Sequence, residues 1–457
     1  MTTILDRSFM EVAQLYRNKE VSPVEVIQQV FDRLEKIEPS INAFISTLKE
    51  DAYQSAIMAE KKFLNNEETH LLCGIPYSLK DLFYTKNVRT TCGSNVLKGF
   101  VPSYSATVVE KIKETDAVLI GKNNMLEFAY GIVHPDFGQT NNPNNVNKTA
   151  GGSSGGSAAA VSAGLGYFSL GTDTGGSIRI PGSYCGVVGL KPTYGLVSTF
   201  GVFPLSWSLD HVGPIAKNVK EVAVILNVIA GHDSKDPYSM HGDYSLINLS
   251  QFNERIYKKR IGVLPDSYLK CLKKEVKNVY QSTLEMVVAL GFEIKEIKIE
   301  NWHLAEEMIM NILLPEAAQI HQYMMNKREQ YAPLTYEQLE LGMKQRAIDY
   351  LNGLHQQKEF KRTVNSVLDE VDVLLTPTVS FPVPDEDPVI GDAEMNEMTF
   401  TGPFNLSGHP ALTFNMAALT NESLPVGMQL IGHHFREEEL LQIAHLIEQQ
   451  GMIKGKE

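Results

Sequence analysis

Two glycine-serine clusters separated by a run of small residues set the terms for this chain, in residues 149–191, TAGGSSGGSAAAVSAGLGYFSLGTDTGGSIRIPGSYCGVVGLK. The first cluster is Gly151-Gly152-Ser153-Ser154-Gly155-Gly156-Ser157 and the second is Gly175-Gly176-Ser177. Glycine tolerates conformations and close approaches that a Cβ forbids, so backbone is expected to run close against backbone here. Ile178-Arg179-Ile180-Pro181 follows, which places Ser177 where a glycine turn hands over to a short segment stopped by proline. Consecutive N–H groups in such a turn can converge on one anion. No other stretch of the 457 residues is so biased.

The flanks have the rhythm of an α/β fold. Ser22-Pro23-Val24-Glu25 combines an N-cap, a first-turn proline and a capping-box glutamate. Val24, Ile27, Val30, Phe31, Leu34 and Ile37 then recur at helical spacing, which predicts a docking helix that ends before Pro39. Residues 48–64 read as a second helix, and LCGIPYSLKDLF as a turn feeding a short strand that ends at Lys80. In 106–122 a helical segment precedes an apolar strand at 117–120. Polar residues 139–148 read as a loop, 158–166 as a small-residue helix and 167–171 as a buried strand. A helix is expected at 218–230, strands at 260–264 and 292–299 around a helix at 273–290, and mostly helix over 303–370. Strands at 372–378 and 424–432 precede a last helix.

By length alone the chain could hold two or three domains, but no linker divides it, and α/β domains often run long. A net charge of -13 argues against a generally nucleic-acid-binding surface, which needs clustered Lys and Arg. The lysines of 254–277 alternate with apolar residues and read as a solvated helix face. Cys73, Cys92, Cys185 and Cys271 lie far apart without a C-x-x-C pair, so neither a zinc site nor a disulfide framework is indicated. The N-terminal segment lacks the apolar core of a signal peptide, and no run reaches bilayer length. A cytoplasmic protein with no membrane contact is expected.

GGSSGGS followed by GTDTGGSIR closely resembles the amidase signature family, and Gly74-Ile-Pro-Tyr-Ser-Leu-Lys80-Asp81 is similar to the segment that carries the family's lysine. Asn124-Met125-Leu126-Glu127-Phe128-Ala129 and the stretches 186–195 and 208–215 extend the resemblance, which is strong over about 5–232 and moderate over 371–432. It implies one α/β domain with a large mixed, twisted sheet covered by helices on both faces. Along the chain this would comprise an N-terminal helical part (about 1–70), a signature core (about 71–232), a variable substrate-entrance region (about 233–370) and a C-terminal return to the core (about 371–457). The resemblance also implies hydrolysis of a carboxamide by a Ser-cisSer-Lys triad. Ser177 is then the nucleophile, Ser153 the bridging serine on a cis peptide and Lys80 the base, with the amides of Thr174, Gly175, Gly176 and Ser177 as the oxyanion hole. Met125 and Ser154 are placed at the substrate pocket. Asp173 and Arg179 are read as structural ions holding the nucleophile loop, in preference to a direct substrate role. No cofactor and no metal are expected. A homodimer is common in such families.

The chemistry makes demands that the residues can meet. A serine hydroxyl needs a base to take its proton. Lysine serves only when neutral, which requires burial or nearby positive charge. The residues before Lys80 are apolar or small, and strand alternation turns Asp81 to the other face. Taken singly, Lys80 reads as a strand-end surface lysine and Ser153 as a loop serine; their weight comes from occurring together. Residues 151–155 also fit G-x-S-x-G, which would make Ser153 a nucleophile with a histidine partner, but that motif follows a strand directly and here follows NNPNNVNKTA, read as a loop. No phosphate-binding G-x-x-x-x-G-K-[ST] occurs, and the adjacent pair His433-His434 falls in a loop.

One branch of the family is the glutaminase subunit of tRNA-dependent amidotransferases, which carries an acidic residue shortly before the segment resembling Phe404-Asn405-Leu406-Ser407-Gly408 to grip the α-amino group of glutamine. Counting back seven residues from Asn405 lands on Met398, with Glu394 and Glu397 near. The branch's arginine-rich stretch is not evident in 340–346, and little chain follows the last helix for a docking tail. The residues therefore favour a free-standing amidase acting on a small or medium, uncharged or aromatic carboxamide. The amidotransferase subunit, which needs partner subunits, is the alternative. An inactive binding scaffold is a third, disfavoured because all three triad positions are present.

Overall fold

The first long helix is capped as the sequence predicts. In the computed structural model, which describes residues 3–242, 244–253, 259–389, 392, 394–416 and 424–454, Ser22 Oγ accepts from the Glu25 N–H at 3.2 Å while the Ser22 N–H donates to the Glu25 carboxylate at 2.7 Å. The helix Pro23–Ile41 runs past Pro39, however, to a left-handed cap at Asn42. A proline in the last turn removes one N–H bond, and the Asn42 N–H still reaches Glu38 O at 2.9 Å. Ser22→Ala is expected to cost about 1 kcal/mol of stability, read as a lower urea midpoint with unchanged slope. An unmoved midpoint would show that the cap contributes nothing.

Eleven strands form one mixed sheet in the order Phe44–Thr47, Val118–Asn123, Pro76–Lys80, Phe168–Asp173, His211–Ala216, Val188–Lys191, Ala411–Asn415, Gly427–Ile431, Val373–Pro377, Arg260–Val263 and Glu293–Glu296. Val118–Asn123, Pro76–Lys80 and Phe168–Asp173 run parallel, the strands from Phe168–Asp173 to Val373–Pro377 alternate in direction, and the last three are again parallel. Pro76–Lys80, Phe168–Asp173 and His211–Ala216 are buried at every residue. Burial on both sides removes the in-out alternation that a half-exposed strand shows. The helix Gly155–Ser162 comes close enough that a Cβ on Gly156 would lie 2.4 Å from Asn124 O.

The N-terminal part is not wholly helical. Phe44–Thr47 joins the sheet edge, antiparallel to Val118–Asn123. Residues 139–148, expected as a loop, carry much of a two-stranded ribbon, Asn141–Asn142 with Asn145–Thr149. Of the lysine-rich stretch, 254–258 lies outside the described residues; the remainder passes through the strand Arg260–Val263 and reaches the helix Lys274–Ala289, so it is not one helix face. No helix among the described residues is long and apolar enough to cross a membrane.

Candidate active site

Lys80 ends one central strand, and Thr172 and Asp173 end its parallel neighbour, paired in register through Leu79 and Leu170. The carboxyl ends of strands in an open α/β sheet are where such folds bind ligands. Lys80 Nζ donates to Ser153 Oγ at 2.7 Å and to Thr172 Oγ1 at 2.9 Å. Burial pulls the Lys80 ammonium down to about 7, against the opposing pull of Asp173 and Asp210. Asp81, next in sequence, turns to Lys122 at 3.1 Å and accepts from the N–H and hydroxyl of Thr91.

The two glycine-serine clusters meet at this point. The Gly152–Ser153 peptide is cis, and the Ser154 N–H donates to Ser177 O at 3.1 Å. A cleft of about 50 Å³ is lined by Gly152, Ser153, Thr174, Gly175 and Ser177 and walled by Leu126, Ile180, Leu205, Leu313, Glu397 and Met398 among others. The N–H groups of Gly175 and Ser177, which line it, and of Gly176 between them find no acceptor among the described residues. Gly176 has φ +143°, and a Cβ there would lie 2.4 Å from Thr401 Oγ1, so only glycine fits. Thr401 Oγ1 donates to Gly175 O at 2.6 Å and Thr174 Oγ1 to Asp210 at 2.6 Å, fixing the turn from both sides.

Below the turn, Arg179 and Asp173 form a two-pronged buried ion pair with both N–O distances at 2.9 Å. Arg179 also donates to Thr401 O, Gln429 Oε1 and Asn405 Oδ1, and Asn405 returns a bond to the Asp173 carboxylate at 2.8 Å. Burial pushes the Asp173 carboxyl up, but the charge and hydrogen bonds of Arg179 outweigh it and hold the group well below the usual carboxylate range. Arg179→Met leaves Asp173 buried and unpaired, an expected loss of about 3–5 kcal/mol in urea unfolding. A loss under about 1 kcal/mol would mean that the network relaxes around the gap.

Met125 and Ser154 are not among the residues that line the cleft. The Ser154 hydroxyl donates to Thr172 O at 3.1 Å, and Met125 is buried with its backbone and Cγ beside Gly93. Sequence reasoning did not single out Thr172, Thr401 or Gln429, and it weighed Glu397 only as a neighbour of Met398. Tyr184 OH donates to Glu397 Oε1 at 2.7 Å, and burial, then the Asp387 charge, push the Glu397 carboxyl up to about 8. A strand, Asn145–Thr149, does precede Gly151, contrary to the loop expected there, but it belongs to the separate ribbon, and the side chain bonded to Ser153 is a lysine, not a histidine. His434 packs against His409 with ring centroids 3.8 Å apart. Among the described residues no group of three or more His, Cys, Asp or Glu is disposed to hold a metal.

A sequence profile described as Amidase matches residues 25–441. The chain belongs to the amidase signature family. Similar to this family member is the A subunit of glutamyl-tRNA(Gln) amidotransferase from Picosynechococcus sp., 36% identical over 467 residues, 94% of this chain and 95% of the relative. The structure of the A subunit of glutamyl-tRNA(Gln) amidotransferase from Thermotoga maritima superposes with a TM-score of 0.81 at 30% identity, over 98% and 96% of the two chains. A chain from a vestigial protein complex that bears on the origins of an s-triazine catabolic enzyme superposes with a TM-score of 0.89 at 28% identity, over 97% and 98%. Full-length likeness to amidotransferase A subunits favours that branch of the amidase signature family over the free-standing amidase that Met398 and residues 340–346 suggested. Glu397, one residue before Met398, is among the residues that line the cleft.

Proposed function

We propose that this chain hydrolyses a carboxamide through an acyl-enzyme on Ser177, as the amide-cleaving A subunit of an amidotransferase-type assembly. The hydrogen bond of 2.7 Å from Lys80 to Ser153, beside a cleft that also holds Ser177, carries the chemistry. Neutral Lys80 takes a proton from Ser153, which takes the Ser177 proton as Ser177 Oγ bonds to the carbonyl carbon. Negative charge on the carbonyl oxygen is then met by the N–H groups of 174–177, where losing one such donor typically costs about 3 kcal/mol. The tetrahedral adduct breaks its C–N bond, Ser153 passes the proton to the departing nitrogen, and water attacks the acyl group by the same relay in reverse. Asp173 and Arg179 hold the loop without touching substrate.

The A-subunit reading is supported by the full-length relatives and by Glu397 in the cleft wall. The Glu397 carboxyl, pushed up to about 8, can accept from a substrate N–H donor and would be drawn to its charged form by a substrate ammonium. Partner subunits would then receive the ammonia. A second reading, a free-standing amidase for neutral carboxamides, is favoured by the cleft lining, which among the described residues includes no Arg, Lys or His to meet the α-carboxylate of glutamine.

Ammonia release by the purified chain from glutamine and from benzamide separates the two. Glutamine turnover that falls in Glu397→Gln supports the first. Benzamide turnover with none from glutamine supports the second. Failure on both, together with no acylation of Ser177, would remove the acyl-enzyme reading itself.

A further inference from the structure

A second cavity, of about 260 Å³, takes its polar lining from Tyr194, Ser208, Gln357, Lys358, Lys361 and Ser407, with Asn405 also in its wall and Met240 and Leu406 as its apolar part. None of the first six takes part in the proposed amide chemistry. Lys358 and Lys361 stand one turn apart on the helix Ala347–Leu368. Among the described residues neither has a carboxylate within ion-pair distance, and Glu359 between them pairs with Arg362 at 3.0 Å. Lys361 is partly buried, and burial pulls its ammonium down with no carboxylate to raise it. Ser407 is 1% exposed, and its hydroxyl has no hydrogen-bond partner among the described residues.

The nearby acceptors are already engaged. Glu316 receives bonds from Ser206, Ser208 and Tyr350, and Asn405 Oδ1 receives Arg179 at 2.6 Å. Tyr194 donates its own hydroxyl proton to Trp207 O. With Tyr194, Ser208 and Gln357 each donating elsewhere, the polar side chains of the wall left without a partner among the described residues are Lys358, Lys361 and Ser407. The ligand complementary to two ammonium groups and a hydroxyl is an oxyanion, for which charge-assisted hydrogen bonds are the strong ones.

We propose that this cavity is a second binding site, for a small oxyanion of phosphate or carboxylate chemistry, held by the ammonium groups of Lys358 and Lys361 and by the Ser407 hydroxyl. Its occupancy is linked to the nucleophile loop through Asn405, which lines the cavity and also bonds Asp173 and Arg179. The site does not depend on which amide the cleft takes.

Titration calorimetry on the full chain with inorganic phosphate, and separately with malonate, at matched ionic strength tests this. The expected result is saturable one-site binding of at least one of them, weakened about tenfold or more in Lys361→Gln, a change of about 1.4 kcal/mol. Tighter phosphate assigns a tetrahedral oxyanion, and tighter malonate a carboxylate. No saturable binding of either up to about 10 mM, or unchanged binding in Lys361→Gln, overturns the proposal. Should Lys361→Gln fail to fold by circular dichroism, Lys358→Gln at the exposed lysine and Ser407→Ala decide instead; wild-type affinity in both overturns it equally.

Discussion

Ser177→Ala is expected to lower kcat for any amide the chain turns over by roughly 10⁴- to 10⁶-fold, with the fold intact. The reason is that the proposed relay has one end point. Lys80 and Ser153 can move a proton, but without the Ser177 Oγ no bond forms to the carbonyl carbon, and only the N–H groups of the turn and substrate binding are left. The substitution is mild structurally. Ser177 is half-buried in the cleft wall, so alanine opens no core cavity, and its effect on stability should stay within about 0.5 kcal/mol. Steady-state kinetics beside a urea titration check both halves. Residual activity within about tenfold of wild type would show that another residue is the nucleophile.

Lys80→Met should cost a comparable factor, roughly 10⁴-fold or more, because Ser153 then has no base. The wild-type enzyme adds a pH test. With Lys80 held at about 7, kcat/KM should rise as pH rises through that value, since the neutral amine is the working form. Stability carries the same sign. The folded-state value lies below the usual 10.5, so between about 7 and 10.5 the unfolded chain binds the extra proton and stability gains with pH. Lys80 thus opposes folding fully below about 7, and the opposition fades as pH rises toward 10.5. Lys80→Met should consequently gain more stability over wild type at pH about 6 than at pH about 9. An equal difference at both would mean that the lysine is charged in the folded protein.

What the sequence made legible, and what it hid, follows from how local each signal is. The glycine-serine clusters are contiguous, and so is the segment that ends at Lys80, so the resemblance they carry to the amidase signature family could name Lys80, Ser153 and Ser177 before they were seen together. The strands Val118–Asn123 and Phe168–Asp173 were readable as buried runs, whereas Val188–Lys191, His211–Ala216 and Ala411–Asn415, short and broken by glycine, proline or polar residues, were not read as strands. Neither was Phe44–Thr47, because four residues at a sheet edge give too little pattern to separate strand from loop. The ribbon at Asn145–Thr149 is polar and largely solvent-facing, and so resembles a loop. Pro39 was overrated as a stop, since a last-turn proline removes a single hydrogen bond and Asn42 supplies the cap. The partners of Arg179 were out of reach: Thr401, Asn405 and Gln429 lie 222, 226 and 250 residues away along the chain. Glu397 shows the limit of counting. Counting landed on Met398 with Glu394 and Glu397 near, and the fold is what shows that Met398 and Glu397 line the cleft.

The most direct test of Ser177 as an acyl-forming nucleophile driven by Lys80 is intact-protein mass spectrometry after brief exposure to a fluorophosphonate, on wild type, Ser177→Ala and Lys80→Met. A single adduct on wild type that maps to Ser177, is absent from Ser177→Ala and forms much more slowly in Lys80→Met is the predicted result. An adduct that persists in well-folded Ser177→Ala, or forms at an undiminished rate in Lys80→Met, would contradict it.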